Sequence, residues 1–282
     1  MSEKNLEGRV AIVTGGGGVL CSVICKDLAQ RGAKVAVLGR SLESVQFVVD
    51  EIVGDGGQAI ALTGDVTNVD AMKAAREKIR AAFGACTILV NGAGGNQAPA
   101  ITSTITYDPA ELDGTNPEIK GFFNLDMGMF HRVVEVNIMG TVIPSQIFGE
   151  DIVRAGGGVI INFASMNSYR PLSRVGAYGS AKAGVRNFTE WLACYLAPAN
   201  IRVNAIAPGF FVNDRSRKIL MTEDGGLSSR GENVMQHTPM KRFGEAAELL
   251  GCFNWLIDEK GAGFVTGQTV AVDGGFLASS GL

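Results

Sequence analysis

Val10-Ala11-Ile12-Val13-Thr14-Gly15-Gly16-Gly17-Gly18-Val19-Leu20-Cys21 carries an apolar run into four consecutive glycines, and a helical pattern follows directly. An apolar run with no alternation fits a strand covered on both faces, as in a parallel sheet. Glycines where such a strand turns into a helix let the backbone approach a pyrophosphate, whose charge the helix N-terminus stabilises. Gly15, Gly17, Gly18, Val19 and Leu20 are therefore the candidate pyrophosphate contacts. A flexible β-to-α turn would look similar, but its place after the first strand of a βαβ unit favours a dinucleotide.

Working outward, six further apolar runs lie at Lys34 to Leu38, Gln58 to Thr63, Thr87 to Val90, Gly158 to Phe163, Ile201 to Ile206 and Thr269 to Val272. Amphipathic or alanine-rich stretches alternate with them at Val23 to Gln30, Ser41 to Val53, Val69 to Phe83, Phe130 to Val153, Ala177 to Leu196 and Ala246 to Leu256. Parallel neighbours need crossover helices of fixed hand, so this order predicts an α/β, Rossmann-type, doubly wound, seven-stranded parallel sheet with helices on both faces. Residues 1–282 read as one dinucleotide-binding and catalytic domain, without an internal repeat. Residues 95–122 and 210–239 lack clear periodicity and follow strands that end near the expected crevice, so they are candidate substrate loops.

The second strand ends at Gly39-Arg40, where an acidic residue would bind the ribose hydroxyl of NAD and an arginine can bind the 2′-phosphate of NADP. NADP(H) is accordingly favoured over NAD(H), the alternative being an Arg40 that stacks on adenine or faces solvent. Asp65, next to Val66 after the third strand, is placed to accept from the adenine amino group, and Asn91, Ala93 and Gly94 close the fourth strand with small residues beside the cofactor.

Tyr178 and Lys182 stand four residues apart, which puts both on one helix face, and Ser165 ends an apolar run thirteen residues before Tyr178. A cation beside a phenol lowers its pKa towards the range of a general acid/base, and a serine at a strand's carboxyl end can hold the same substrate oxygen. A Tyr-x-x-x-Lys spacing also arises by chance on solvated helices, so its weight comes from the rest of the chain. Asn167, Arg170 and Arg174 lie between Ser165 and Tyr178, where a guanidinium can take a carboxylate with two hydrogen bonds; the alternative for both arginines is a surface or subunit contact.

A net charge of −3 without a block of like charges gives no footprint for nucleic acid or an anionic membrane. The N-terminal residues lack a signal peptide's apolar segment, and no apolar run is long enough to span a bilayer, so a cytoplasmic protein is expected. Five cysteines without paired spacing fit reduced thiols, and with only His131 and His237 available no metal site is expected.

These elements together resemble the short-chain dehydrogenase/reductase family over essentially the whole chain: the glycine loop, Asn91-Gly92-Ala93-Gly94, Asn137 in Val-Glu-Val-Asn-Ile-Met-Gly, Ser165, Tyr178, Lys182 and Pro208-Gly209 occur in the family's order. The resemblance implies Tyr178 as acid/base, Lys182 as modulator of its pKa and ligand of the nicotinamide ribose, Ser165 as orienter of the oxygen and Asn137 as holder of a relay water. It also implies that Asn204, Pro208, Gly209 and Phe211 flank the nicotinamide. Two departures stand out. The family's last two loop glycines fall on Val19 and Cys21, and its threonine after the Pro-Gly turn falls on Asn213. The long insert ending in Phe122-Phe123-Asn124-Leu125-Asp126 resembles the D-mannonate oxidoreductase (fructuronate reductase) branch, which implies a keto group and a secondary alcohol interconverted on a sugar acid. Alternatives are another ketone, polyol or β-ketoacyl substrate or, from a different class, a nicotinamide-binding redox sensor. A small-molecule substrate and a homotetramer are the expected partners.

Overall fold

Strand residues dictate the layering. Successive side chains of a strand point to opposite faces, so Ala11 and Val13 of β1 (Val10–Thr14) enter one core while Val10 and Ile12 enter the other. The computed structural model describes residues 4–212, 217 and 220–279. Among these, β1 is joined by β2 (Lys34–Gly39), β3 (Gln58–Thr63), β4 (Ile88–Asn91), β5 (Gly158–Phe163), β6 (Ile201–Pro208) and β7 (Thr269–Val272), all parallel, in the order β3-β2-β1-β4-β5-β6-β7. The order reverses between β1 and β4, and their carboxyl ends open the crevice where ligands of such sheets bind.

One face is covered by α1 (Val19–Gln30), α2 (Leu42–Gly54) and a late helix spanning Leu249–Ile257, which bury Ile24, Leu28, Val48, Ile52 and Phe253. The other carries α3 (Val69–Phe83), which follows the Asn68 cap, and two longer helices, Met127–Arg154 and Gly176–Leu196; Met72, Ile79, Phe148, Ile152 and Leu192 fill this core. Including the one-turn α4 (Ala110–Asp113), the long pair are α5 and α6, and the late helix is α8 after α7 (Ser229–His237). Each fully buried Leu or Ile contributes about 1.5–3 kcal/mol against about 1 kcal/mol for a cap, so burial of the two faces holds the layers together.

Each expected strand is present with its ends shifted by at most two residues, the largest change being β6, which runs on to Pro208, within the ordinary uncertainty of element ends. The first helix begins at Val19 instead of Val23, since Gly18 already stands in extended conformation as its N-cap. Inside the segments read as loops, α4 and α7 form. Ser228 caps α7 by accepting from the Gly231 amide (3.1 Å), and the helix buries only Gly231 and Val234, too little apolar surface to show as periodicity. No helix among the described residues is long and apolar enough to cross a membrane.

Candidate active site

The glycine loop and the ends of β2, β3 and β4 enclose a crevice of about 330 Å³. Gly15 has φ +68°, and a Cβ there would lie 2.9 Å from the Gly92 carbonyl and the Ala93 nitrogen, so only glycine lets the two strand ends meet. Thr14 ties them further, its hydroxyl oxygen accepting from the Gly92 (3.1 Å) and Ala93 (3.2 Å) amides. Cys21 occupies the place of the family's last loop glycine. Its sulfur fills the space over Gly92, where a Cβ would come within 2.1 Å. Burial pushes the Cys21 thiol up to about 12, so it remains a neutral packing group.

Of the sequence-derived cofactor residues, Gly15, Gly17, Gly18, Arg40, Asp65, Val66, Ala93 and Gly94 line this crevice. The sequence reading missed Ser41, Ser44 and Val136, which line it too. Ser41 was legible as the cap of α2: it accepts from the Ser44 amide. The Asp65 carboxylate already has partners, the Thr67 amide and hydroxyl at 2.9 and 2.7 Å and the Arg132 guanidinium at 2.7 Å. Though burial opposes it, these bonds together hold the carboxyl down at about 2.

Packing decides where the side chains of the remaining cofactor candidates point. Asn91 points into the core and donates to Ser145 Oγ (2.9 Å) and Asn162 Oδ1 (2.8 Å), fastening β4 to α5 and β5. The Val19 and Leu20 side chains stand outside the crevice lining, Val19 exposed and Leu20 against the α1 core, which leaves only their backbone as helix start. Phe211 is buried in the core against Gly244, away from the crevice lining. Asn204 is used within the sheet, donating to the Val265 carbonyl and accepting from the Gln268 amide. Pro208 ends β6, and Gly209 continues its pairing by donating to the Val272 carbonyl (2.9 Å), where a Cβ would collide with Asp273. Asn213 lies outside the described residues.

Ser165 and Tyr178 come together as expected. Ser165 follows β5 and heads a short 3₁₀ turn, Met166–Ser168, in which its oxygen accepts from the Asn167 amide (3.2 Å) and Ser168 Oγ donates to the Lys182 carbonyl (2.7 Å). The Ser165 hydroxyl is also placed to stabilise a Tyr178 phenolate, but desolvation outweighs it and the phenol is raised above its ordinary value. This departs from the sequence expectation of a lowered phenol. The Lys182 ammonium lies 5.7 Å from the Tyr178 ring centre and donates to the Phe163 carbonyl (2.7 Å), and burial depresses its own pKa to about 8. Asn137 sits nearby with its amide engaged: it donates to the Gly95 and Val133 carbonyls and accepts from the Gly95 amide. A Cβ on Gly94 would meet Asn137 Oδ1 at 2.5 Å and Lys182 Nζ at 3.3 Å. Bare backbone thus runs from the glycine loop to the Lys182 ammonium, which fits a dinucleotide laid with its pyrophosphate on α1 and a ribose at Lys182.

A family model described as short chain dehydrogenase matches residues 9–224. The chain belongs to this family. Short-chain dehydrogenases are nicotinamide-dependent oxidoreductases of alcohols and ketones, and this chain is one of them. It is 46% identical to an uncharacterized oxidoreductase, UxuB, of Bacillus subtilis, over 99% of this chain and 98% of the relative. The solved structure of a candidate D-mannonate oxidoreductase from Haemophilus influenzae, with bound NAD, superposes with a TM-score of 0.94 at 41% identity, covering 99% of this chain and 98% of that one. A 7alpha-hydroxysteroid dehydrogenase of Escherichia coli is 30% identical over 96% of this chain and 94% of its own.

A second cavity, of about 280 Å³, lies where loops following β4, β5, β6 and β7 meet, lined among others by Ile105, Leu172, Arg174, Phe210, Arg230 and Phe276. Of the substrate candidates only Arg174 reaches it. Arg170 is exposed and donates to the Ser279 carbonyl (2.7 Å), an outer contact with the C-terminal segment. Asn167 is buried, and its Oδ1 accepts from the Leu172 amide (2.8 Å), bracing the loop. Nothing in the sequence pointed to Arg230, which stands on α7 in a stretch without readable periodicity.

Proposed function

We propose that this enzyme interconverts a carbonyl and a secondary alcohol on a sugar acid of the D-mannonate/D-fructuronate kind, acting as a single unit of residues 1–282 with residues 95–122 and 210–239 around the substrate. The reading is carried by the Ser165, Tyr178 and Lys182 cluster together with a cavity between the loops at the strand ends whose charged described lining residues, Arg174 and Arg230, are cationic. The likeness to the Haemophilus influenzae protein supports the substrate class.

In this reading the substrate oxygen lies between Ser165 and Tyr178. Ser165 orients it by hydrogen bonding, and Tyr178 gives the proton to the oxygen during reduction or takes it during oxidation. The nicotinamide, when bound, supplies or accepts the hydride. Lys182 holds the ribose beside the phenol, and Asn137 keeps the Gly95 backbone fixed at its side.

NADP(H) is the favoured cofactor, because Arg40, Ser41 and Ser44 line the adenosine end of the crevice and no acidic residue ends β2. The NAD bound in the Haemophilus influenzae structure favours the second reading, in which Arg40 faces solvent. Arg40→Asp is expected to shift the NADPH:NADH ratio of kcat/KM towards NADH by about tenfold or more. An unchanged ratio selects the second reading. A homotetramer in the cytoplasm completes the proposal.

The deciding experiment follows NADH and NADPH oxidation with D-fructuronate, other keto sugar acids, and neutral or steroid ketones. Selective turnover of the sugar acids is expected. Turnover confined to neutral or steroid ketones would leave the family and mechanism and remove the substrate.

A further inference from the structure

Arg174 and Arg230 reach the second cavity from different elements, one on the loop after β5 and the other in the first turn of α7. Arg174 is held in place from both sides: its backbone carbonyl accepts from the Thr102 amide (3.0 Å) and its Nε donates to the Thr102 carbonyl (2.6 Å). Its φ of +73° is costly for a residue with a side chain and persists only where the surroundings enforce it. The remaining Arg174 nitrogens have no protein acceptor among the described residues, and Arg230 makes no hydrogen bond or ion pair there at all. The cavity's described lining contains no acidic residue.

Two cations brought together in a partly buried cavity without a counter-charge are unfavourable unless something supplies one. Burial and the nearby like charge of Arg174 both press on the Arg230 guanidinium. An anion with two oxygens answers both arginines with paired, charge-assisted hydrogen bonds. The loop that carries Arg174 is also tied to the reacting end by hydrogen bonds. Ser165 accepts from the Asn167 amide, Asn167 from the Leu172 amide, and Leu172 lies two positions before Arg174.

We propose that Arg174 and Arg230 form a two-sided anchor for the substrate's carboxylate, making the enzyme selective for sugar acids over neutral polyols. Arg230, from α7, is thereby a specificity-determining residue, and Arg170 has no part in it. Ile105, Phe210 and Phe276 supply apolar walls beside the anchor. The proposal rests on the sugar-acid reading of this same site.

The test compares kcat/KM for oxidation of D-mannonate with that for D-mannonamide, which keeps every hydroxyl and removes only the charge. Wild-type enzyme is expected to prefer the acid by about tenfold or more, and Arg230→Gln to compress that acid:amide ratio by about tenfold through KM. Arg230→Lys should retain part of the ratio. Arg174→Gln reads the same ratio from the other side of the cavity, so the test survives if one variant does not fold; NADH titration of each variant checks folding. A merely structural role would lower acid and amide together and leave the ratio in place. A preserved ratio in both glutamine variants, with wild type still preferring the acid, overturns the anchor and leaves the sugar-acid reading standing. A wild-type enzyme indifferent to the charge overturns both.

Discussion

At Tyr178 two effects compete, and the larger one decides its resting state. Burial disfavours the phenolate more than the Ser165 hydroxyl favours it, so the residue rests as a phenol near neutral pH. A phenol suits reduction, which consumes a proton, whereas oxidation needs phenolate. Because the phenol is raised above its ordinary value, its ionised fraction grows throughout the accessible range. Oxidation of alcohol is therefore expected to accelerate from about pH 7 to about pH 10, while reduction by the phenol holds nearly level, because the phenol remains the predominant form below its raised pKa. Lys182, depressed to about 8, loses its charge inside that range, so cofactor affinity should fall as pH rises through about 8. Initial rates in both directions, with NADH titrations at each pH, check both trends, and a flat oxidation profile would exclude Tyr178 as the titrating acid/base. Tyr178→Phe should lower turnover by about 10²–10⁴-fold with NADH binding retained. Near wild-type turnover in that variant would refute the mechanism.

Between elements, the close approach of α1 to the end of β4 depends on Gly92 having no side chain. A methyl there would overlap the Cys21 sulfur and crowd the Thr14 carbonyl at 2.9 Å. Gly92→Ala is expected to cost about 1–3 kcal/mol by overpacking. In the double variant with Cys21→Ala part of that loss should return, because the sulfur is gone while the Thr14 carbonyl remains. Thermal melts of the two single variants and the double give the coupling; strictly additive losses would show that the two residues do not meet. The same contact explains how a chain lacking the family's last loop glycine keeps the loop: small size is demanded at Gly92 instead.

Across the whole molecule, α6 presents an exposed row of aromatic rings. Trp191 stacks on Phe188 and Tyr195, with centroids 5.9 and 5.2 Å away, and Trp191 and Tyr195 are 57% and 67% exposed. Rings already ordered lose little entropy on being covered, which suits a self-complementary surface between copies of the chain. Under the tetramer proposal, Trp191→Glu should yield smaller species in light scattering coupled to size exclusion. An unchanged mass would place the subunit contact elsewhere.

The fold was legible because its evidence is local and repeated: seven apolar runs alternating with amphipathic stretches leave few ways to bury both faces of a sheet. Ser165, Tyr178, Lys182 and the glycine loop were legible too, since their spacing is fixed by one helix and two strand ends. Sequence could not say where Asn91, Phe211, Arg170 and Arg174 point, because side-chain direction in a turn or at a strand end follows from neighbours distant in the chain. Asn91 is claimed by Ser145 and Asn162, and Arg170 by the carbonyl of Ser279. Likewise the state of Tyr178 depends on desolvation, which comes from everything packed around it. Sequence alone determined the layered sheet and offered Ser165, Tyr178 and Lys182 as the reacting residues; only the tertiary structure brought Arg230 to Arg174, because α7 and the loop after β5 meet only when the strand ends align.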